Sequence, residues 1–138
     1  MAGRLAKVMK KYALVAHDAR KPLMIEWVGR NLDIFQQLDL IATGTTGKVL
    51  LEHYPELRLE RLESGPRGGD QQVGALIVAK AIDVLFFFID PLTPMPHDVD
   101  VKALLRLSIL YDVPCACSVR SADILLDSVR RARAAASG

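Results

Sequence analysis

The sequence has few of the features that mark secreted, membrane-inserted or disulfide-rich proteins. Only two of its 138 residues are cysteines, too few for the disulfide framework of a small secreted domain. No apolar run approaches the ~18 residues that a membrane-spanning helix needs. The first residues also lack the apolar core of a signal peptide. We therefore predict a cytoplasmic protein with reduced cysteines and no membrane partner.

Metal-binding and nucleotide-binding motifs are also missing. No His-Glu-x-x-His or Cys-x-x-Cys spacing occurs, so a metal site is disfavoured. No Gly-x-Gly-x-x-Gly or P-loop motif occurs, and no Gly-x-Ser-x-Gly elbow is present, which disfavours a serine hydrolase. Cys115 and Cys117 lie two residues apart. We place them on opposite faces of a strand, as packing residues whose spacing does not suit a disulfide.

The charge is nearly balanced, at a formal +2, and the basic residues concentrate at the two ends of the chain. They are Arg4, Lys7, Lys10 and Lys11 near the start, and Arg130, Arg131 and Arg133 near the end. We interpret them as solvated termini. The alternative, a nucleic-acid surface, would be expected to interleave aromatic residues with the basic ones or to carry a binding motif. We therefore predict no nucleic-acid partner.

Alternating apolar and helical patterns predict the fold class. Apolar runs at residues 12–16, 38–42, 84–89 and 115–119 predict four strands, with residues 84–89 buried on both faces. The alternation of Leu and charged residues at 57–62 predicts a fifth, exposed or edge strand. Helical patterns between them predict a parallel sheet in an α/β three-layer sandwich of the Rossmann or flavodoxin type. One helix is predicted from residue 46 or 47 to 54, and Ser121 is predicted to cap the last. Residues 1–138 are expected to form one domain, with a flexible Ala-rich tail from residue 134.

Polar residues follow four of the five predicted strands. Ligands of parallel sheets bind beyond the carboxyl ends of the strands, so these clusters are the candidate site. They are His17, Asp18 and Lys21; Thr43, Gly44, Thr45 and Thr46; Ser64, Gly65 and Asp70; and Asp90, His97, Asp98 and Asp100.

Two of these clusters have the composition of phosphate-binding loops. Residues 43–47 offer small residues, hydroxyl groups and backbone amides at the positive end of a helix dipole. The alternative is a tight turn with a helix cap. Ser64-Gly65 provides a second small loop, and Lys21 can add a positive charge.

Asp70 and His97 are the candidate catalytic groups. Asp70 follows two glycines at the start of a helix, where it could be a general base or an N-cap residue. His97 lies in a proline-rich loop beside carboxylates, where it could polarise a carbonyl or move a proton. His53 lacks such a context and is interpreted as a surface residue. A phosphate clamp with a carboxylate base and an electrophilic His suits proton removal next to a carbonyl, giving an enediolate.

The assembled motifs resemble those of the methylglyoxal synthase family. The matching segments are residues 13–18, 42–47, 64–75, 90–92 and 96–106. The combination of Ser-Gly-Pro-x-Gly-Gly-Asp with Pro-His-x-x-Asp-Val is highly specific. The last predicted strand departs from the family pattern, because Cys115-Ala116-Cys117-Ser118 replaces a segment in which Asn follows Ala-Thr. No residue matches the basic tail residue that some members use in phosphate regulation.

The resemblance implies a reaction and a set of roles. The family converts dihydroxyacetone phosphate to methylglyoxal and inorganic phosphate without a metal or organic cofactor, typically as a homohexamer that phosphate often regulates. The matched catalytic residues are the base Asp70, the proton-moving His97, and Asp100. The matched substrate- and phosphate-binding residues are His17, Lys21, Thr43, Gly44, Thr45, Thr46, Ser64 and Gly65. Asp18 and Asp90, like Asp100, match acidic residues that shape the site.

Two other functions use similar residues. A regulatory module like the effector-binding domain of carbamoyl-phosphate synthetase would bind phosphates or nucleotides without chemistry, but it would need no base beside a phosphate loop. A triose-phosphate isomerising enzyme would need the same groups and would differ in its product.

Overall fold

Five parallel strands form one sheet in the order β3-β2-β1-β4-β5. The computed structural model describes residues 10–92 and 101–137. The strands are β1 Lys11–Ala16, β2 Leu40–Ala42, β3 Leu59–Arg61, β4 Ile82–Phe88 and β5 Cys115–Ala116. The predicted parallel α/β sheet is confirmed. Its two edge strands are short, which limits the backbone that they leave unpaired.

Helices cover both faces of the sheet. They are α1 Lys21–Arg30, α2 Leu32–Phe35, α3 Gly44–His53, α4 Gly69–Val78, α5 Val101–Leu110 and α6 Val119–Ser137, with short 3-10 turns at Asp18–Arg20 and Gly65–Arg67. Buried side chains of α1, α2, α3 and α6 pack on one face. Those of α4 and α5 pack on the other. The predicted three-layer sandwich is therefore confirmed.

The central strand β4 is apolar because both of its faces are covered. Phe86 and Phe88 point to the face of α1, whereas Phe87 points to the face of α4. Trp27 of α1 is fully buried against Phe86 and Phe88, with ring centroids 5.0 and 5.3 Å away. A buried aromatic residue contributes several kcal/mol to stability, so this contact anchors α1 to the sheet.

Two helices begin earlier than the sequence predicts. Helix α3 begins at Gly44, since Thr43 has extended backbone angles (φ −61°, ψ 154°) and occupies the N-cap position. Helix α6 begins at Val119, and the Ala122 N–H donates to the Ser118 carbonyl (2.9 Å). The prediction that Ser121 caps this helix is therefore wrong. In both cases a polar residue within the first turn, Thr46 or Ser121, resembled a helix start.

The prediction that the two cysteines lie on opposite faces of a strand is also wrong. Residues two apart on a strand lie on the same face, and the Sγ atoms of Cys115 and Cys117 are 4.0 Å apart. Both cysteines are free thiols and partly exposed.

Helix α6 continues through the Ala-rich residues to Ser137. In the middle of this helix, Arg130 donates to both carboxylate oxygens of Asp33 (2.7 and 3.1 Å) and to Asn31 Oδ1 (3.0 Å). These contacts join α6 to the start of α2. Within residues 10–92 and 101–137, no helix has the length and apolar character that crossing a bilayer requires.

Candidate functional site

The candidate site lies at the carboxyl end of the sheet, around the boundary between β1 and β4. These strands are neighbours although far apart in the chain, with Ala16 opposite Phe88. The helices that follow them, α1 and α5, lie on opposite faces of the sheet. Such a switch point opens a crevice in doubly wound sheets, and ligands bind there.

His17 occupies this switch point. Its backbone N–H donates to the Phe88 carbonyl (3.1 Å), and its ring packs nearly perpendicular to that of Phe87 at a centroid distance of 5.4 Å. The Asp90 backbone N–H donates to His17 Nδ1 (2.9 Å). Because Nδ1 accepts this hydrogen bond, the neutral ring carries its proton on Nε2. His17 is therefore oriented as a hydrogen-bond donor through Nε2.

Lys21 and Asp18 lie beside His17 at the start of α1. Lys21 Nζ donates to the Ala16 carbonyl (3.1 Å) and to Asp18 Oδ1 (2.6 Å). The Lys21 side chain is only 15% exposed, whereas that of Asp18 is 79% exposed. These contacts hold the ammonium group at the end of β1, and His17, Asp18, Lys21 and Asp90 together form what we term the β1/β4 half of the site.

The Thr43–Thr46 loop follows β2 and supplies the first turn of α3. Thr43 and Thr46 are buried, and their Oγ1 atoms are 3.4 Å apart, while Thr45 is exposed. The first amides of a helix have no partner inside the helix and carry its positive dipole end. The loop therefore has the geometry of an anion site.

The Ser64–Gly65 loop packs against the Thr43–Thr46 loop through main-chain atoms. The Gly44 N–H donates to the Glu63 carbonyl (2.8 Å). A Cβ atom on Gly44 would lie 2.8 Å from the Ser64 nitrogen, so only glycine fits this close approach without a shift. We term these two loops, together with Asp70, the β2/β3 half of the site.

Asp70 is placed beside the second loop by the glycines before it. Gly68 adopts a left-handed conformation (φ +103°) and is the N-cap of α4, so Asp70 is not the N-cap residue. A Cβ atom on Gly69 would overlap the Glu63 carbonyl, and one on Gly65 would lie 3.4 Å from Asp70 Oδ1. A carboxylate therefore lies next to Gly65, at the positive end of a helix.

The other predicted residues fall outside this arrangement. His97, Asp98 and Asp100 lie outside the described residues. His53 is exposed on α3, where its Nδ1 lies 3.0 Å from the Val49 carbonyl, which confirms its interpretation as a surface residue. Within the part of the chain that the structure describes, no group of three or more His, Cys, Asp or Glu side chains could hold a metal ion.

Three supporting residues were not predicted. Arg20 Nε donates to the Ile89 carbonyl (3.2 Å), and Arg61 Nε donates to the Gly44 carbonyl (3.2 Å). The Gln72 side chain accepts from the Glu63 N–H (2.7 Å). Each one stabilises a loop that carries a predicted site residue. Only Gln72 had a local signal, since it lies two residues after Asp70 in a matching motif.

Comparisons with known proteins agree with the motifs. Residues 24–117 match the family model described as MGS-like domain. The chain is 53% identical over 120 residues to a methylglyoxal synthase of Rhizobium rhizogenes, covering 87% of this chain and 95% of that protein. It is 46% identical over 122 residues to a methylglyoxal synthase of Oleidesulfovibrio alaskensis, covering 88% and 83% of the two chains.

A solved structure gives the same result. The crystal structure of methylglyoxal synthase from Elizabethkingia anophelis NUHP1 matches with a TM-score of 0.81 at 44% identity. The match covers 85% of this chain and 76% of that one. The resemblance inferred from the motifs is therefore confirmed over most of the chain.

Proposed function

Because the chain belongs to the methylglyoxal synthase family, we propose that it converts dihydroxyacetone phosphate to methylglyoxal and inorganic phosphate. The observation that carries this proposal is the position of Asp70, whose Oδ1 lies next to Gly65 in a loop suited to phosphate. A carboxylate so close to an anion site would weaken binding if binding were the only task. Its presence supports chemistry at the phosphorylated ligand.

The substrate phosphate is bound first, at the β2/β3 half. The Gly44 N–H already donates to the Glu63 carbonyl, so the other main-chain amides of Thr43–Thr46 and Ser64–Gly65, with the hydroxyl groups of both loops, donate to the phosphate oxygens, as at other helix N-termini. An ammonium group has three N–H donors. Lys21 uses two of them on Ala16 and Asp18 and directs the third towards the substrate.

Asp70 then removes a proton from the hydroxymethyl carbon of the substrate. The electron pair left on carbon moves onto the carbonyl oxygen, giving an enediolate. His17 stabilises this negative charge by donating from Nε2, and a preorganised donor of this kind lowers the barrier more than water does. His97 and Asp100 are proposed, from the family resemblance alone, to move protons between the substrate oxygens.

Elimination of phosphate follows from the enediolate. The hydroxyl group on the deprotonated carbon gives up its proton and its oxygen forms the aldehyde C=O, while the enediolate double bond shifts to the carbon that bears the phosphate and the carbon–oxygen bond to phosphate breaks. The enolate oxygen takes up a proton, and the resulting enol tautomerises to methylglyoxal. The carbon–oxygen bond to phosphate must lie out of the enediolate plane for this step. An isomerase would hold the same bond in the plane, where phosphate is not expelled. The two loops contact each other through main-chain atoms, which supports a fixed orientation of this bond.

Assembly and regulation remain predictions from the family. They comprise a homohexamer, control by free phosphate and catalysis without a metal or organic cofactor. A cytoplasmic location, with no nucleic-acid or membrane partner, is also still a prediction. Light scattering with and without phosphate would test the assembly state.

Product analysis tests the reaction directly. The pure protein is incubated with dihydroxyacetone phosphate in the presence of a metal chelator, and both phosphate and dicarbonyl product are followed. We expect the two products to appear in equal amounts. Formation of glyceraldehyde 3-phosphate would indicate the isomerising enzyme, and binding without phosphate release would indicate the regulatory module. Either result would contradict the proposal.

Replacing the base tests its role. Asp70→Asn keeps the size of the side chain but cannot accept the substrate proton, so we expect turnover to fall by about 10⁴-fold with phosphate binding retained. The matched control is Asp127→Asn, which removes an exposed carboxylate paired with Arg131 on α6 and should leave turnover unchanged. Near-normal turnover in Asp70→Asn would exclude Asp70 as the base.

A further inference from the structure

The Cys115–Cys117 pair lies outside the proposed chemistry. Cys115 is paired with Leu85 at the edge of the sheet, and Cys117 lies just beyond the last residue of β5. Their Sγ atoms are 4.0 Å apart, and both residues are partly exposed. These are the only cysteines in the sequence, so any thiol chemistry of the protein occurs at this pair.

The two thiols are chemically unequal. The hydrogen bond with Cys115 lowers the pKa of Cys117 to about 7, although burial opposes this shift. The same hydrogen bond, followed by burial, raises the pKa of Cys115 well above its usual range. Near neutral pH, Cys117 is therefore substantially thiolate while Cys115 keeps its proton. A thiolate is the nucleophilic form of cysteine.

The backbone also distinguishes the two residues. Cys115 is held in the β4–β5 ladder, whereas Cys117 lies beyond it. A disulfide needs its sulfur atoms at about 2.05 Å, so the pair must approach by about 2 Å. Because Cys117 lies outside the β4–β5 ladder, it can approach Cys115 without breaking a pairing of that ladder.

We propose that Cys115 and Cys117 form a redox-active dithiol, in which a hydroperoxide oxidises Cys117 and Cys115 resolves the product as an intramolecular disulfide. An accessible thiolate next to a second thiol is the arrangement that favours this chemistry.

The reaction balances in two steps. The Cys117 thiolate attacks the O–O bond of the peroxide, forming a sulfenic acid and releasing an alkoxide or hydroxide that takes a proton from water. The Cys115 sulfur then attacks the Cys117 sulfur, and the displaced hydroxide leaves as water with the Cys115 proton. Overall, two thiols and one hydroperoxide give a disulfide, an alcohol and water. A soluble dithiol reverses the oxidation.

The test begins with the reduced full-length protein and stoichiometric hydrogen peroxide. We expect both free thiols to disappear together, the intact mass to fall by about 2 Da, and a reducing agent to restore both thiols. On denaturing, non-reducing electrophoresis the protein should run as a single chain, without cross-links between chains. If both thiols are retained, or if disulfides form between chains, this experiment on the wild-type protein alone overturns the proposal.

Two serine variants then separate the roles. Cys117→Ser should lose its remaining thiol at least tenfold more slowly than the wild type. Cys115→Ser should react at a rate close to wild type but stop at a sulfenic acid, which dimedone traps. Equal rates in the two variants would overturn the assignment of Cys117 as the nucleophile. Serine is close in size to cysteine, and circular dichroism checks that both variants are folded.

Discussion

The two halves of the candidate site are held together by different kinds of contact. In the β2/β3 half, main-chain atoms of one loop contact those of the other, and Gly44 and Gly69 leave no space for a Cβ atom. In the β1/β4 half, side-chain contacts orient the polar groups: the Asp90 N–H donates to the His17 ring, and Lys21 donates to Asp18.

This difference separates the contacts that set the shape of the site from the side chains that take part in its chemistry. Most substitutions leave main-chain donors in place, so changes at the close loop contacts of the β2/β3 half, at Gly44 and Gly69, are expected to act mainly through the fold. The Asp70 side chain in the same half is expected to act on turnover. Side-chain donors can be removed one at a time, so changes in the β1/β4 half are expected to act mainly on turnover. Comparing stability with activity in each half tests this distinction.

The largest effect on stability is expected from Gly69→Ala. Its methyl group would overlap the Glu63 carbonyl, and forcing main-chain atoms apart should lower the free energy of unfolding by about 3 kcal/mol. Urea denaturation followed by circular dichroism measures this loss.

The matched control is Gly65→Ala, whose methyl group would meet only Asp70 Oδ1 at 3.4 Å. We expect its stability to change by less than about 1 kcal/mol, with turnover reduced roughly tenfold because the methyl group crowds the base. Equal destabilisation by both substitutions would contradict the role of main-chain contact.

His17→Asn is expected to show the opposite behaviour. The Asn side-chain oxygen can accept from the Asp90 N–H as Nδ1 does, but the Nε2 donor is lost. We expect turnover to fall by about 10²-fold with little change in unfolding. His17→Gln is the complementary variant, because it retains a donor near Nε2 but loses the contact with Asp90. If His17→Asn unfolds the protein while turnover per folded molecule is normal, the donor role is wrong.

Gln72→Leu is expected to have a smaller effect. It removes the acceptor of the Glu63 N–H at the start of the second phosphate loop, which should cost about 1 kcal/mol of stability and weaken phosphate binding. Gln72→Glu keeps an acceptor for the Glu63 N–H and should restore stability, but not phosphate binding, because its charge repels the anion. Gln71→Leu, at an exposed neighbouring position, controls for the change to an apolar side chain. Loss of phosphate affinity in the control as well would argue against the loop contact.

The smallest effect is expected at an ion pair outside both halves. The hydrogen bond from Arg130 holds the pKa of Asp33 below its ordinary value of 3.8. A lowered carboxyl pKa stabilises the fold above the ordinary value, and this contribution is lost as the pH falls through the lowered value. The stability difference between wild type and Asp33→Asn should therefore be small at neutral pH and vanish in acid. Since the pair is exposed, a large difference would contradict this reasoning.

Local patterns predicted the strands well and the helix starts poorly. The run at residues 84–89 identified β4 because a strand covered on both faces is apolar at every position. Thr46 and Ser121 resembled helix starts, yet Thr43 and Ser118 precede the helices. Several small polar residues follow one another at both helix starts, so residue type alone does not single out the cap.

The cysteine pair shows a different kind of error. The spacing of two residues already placed both side chains on one face of a strand, so that part was available from the sequence. The 4.0 Å separation and the unequal pKa values were not, because they depend on burial and on where β5 ends.

By itself, the sequence determined the α/β class, the residues at the strand ends and the family, because periodicity and motifs are local properties of the chain. Only the tertiary structure decided which of these residues meet. His17 and Asp90 are 73 positions apart, and they touch because β1 and β4 are neighbours in the sheet. That order follows from burying both faces of the sheet at once, a condition that involves the whole chain and that no short segment contains.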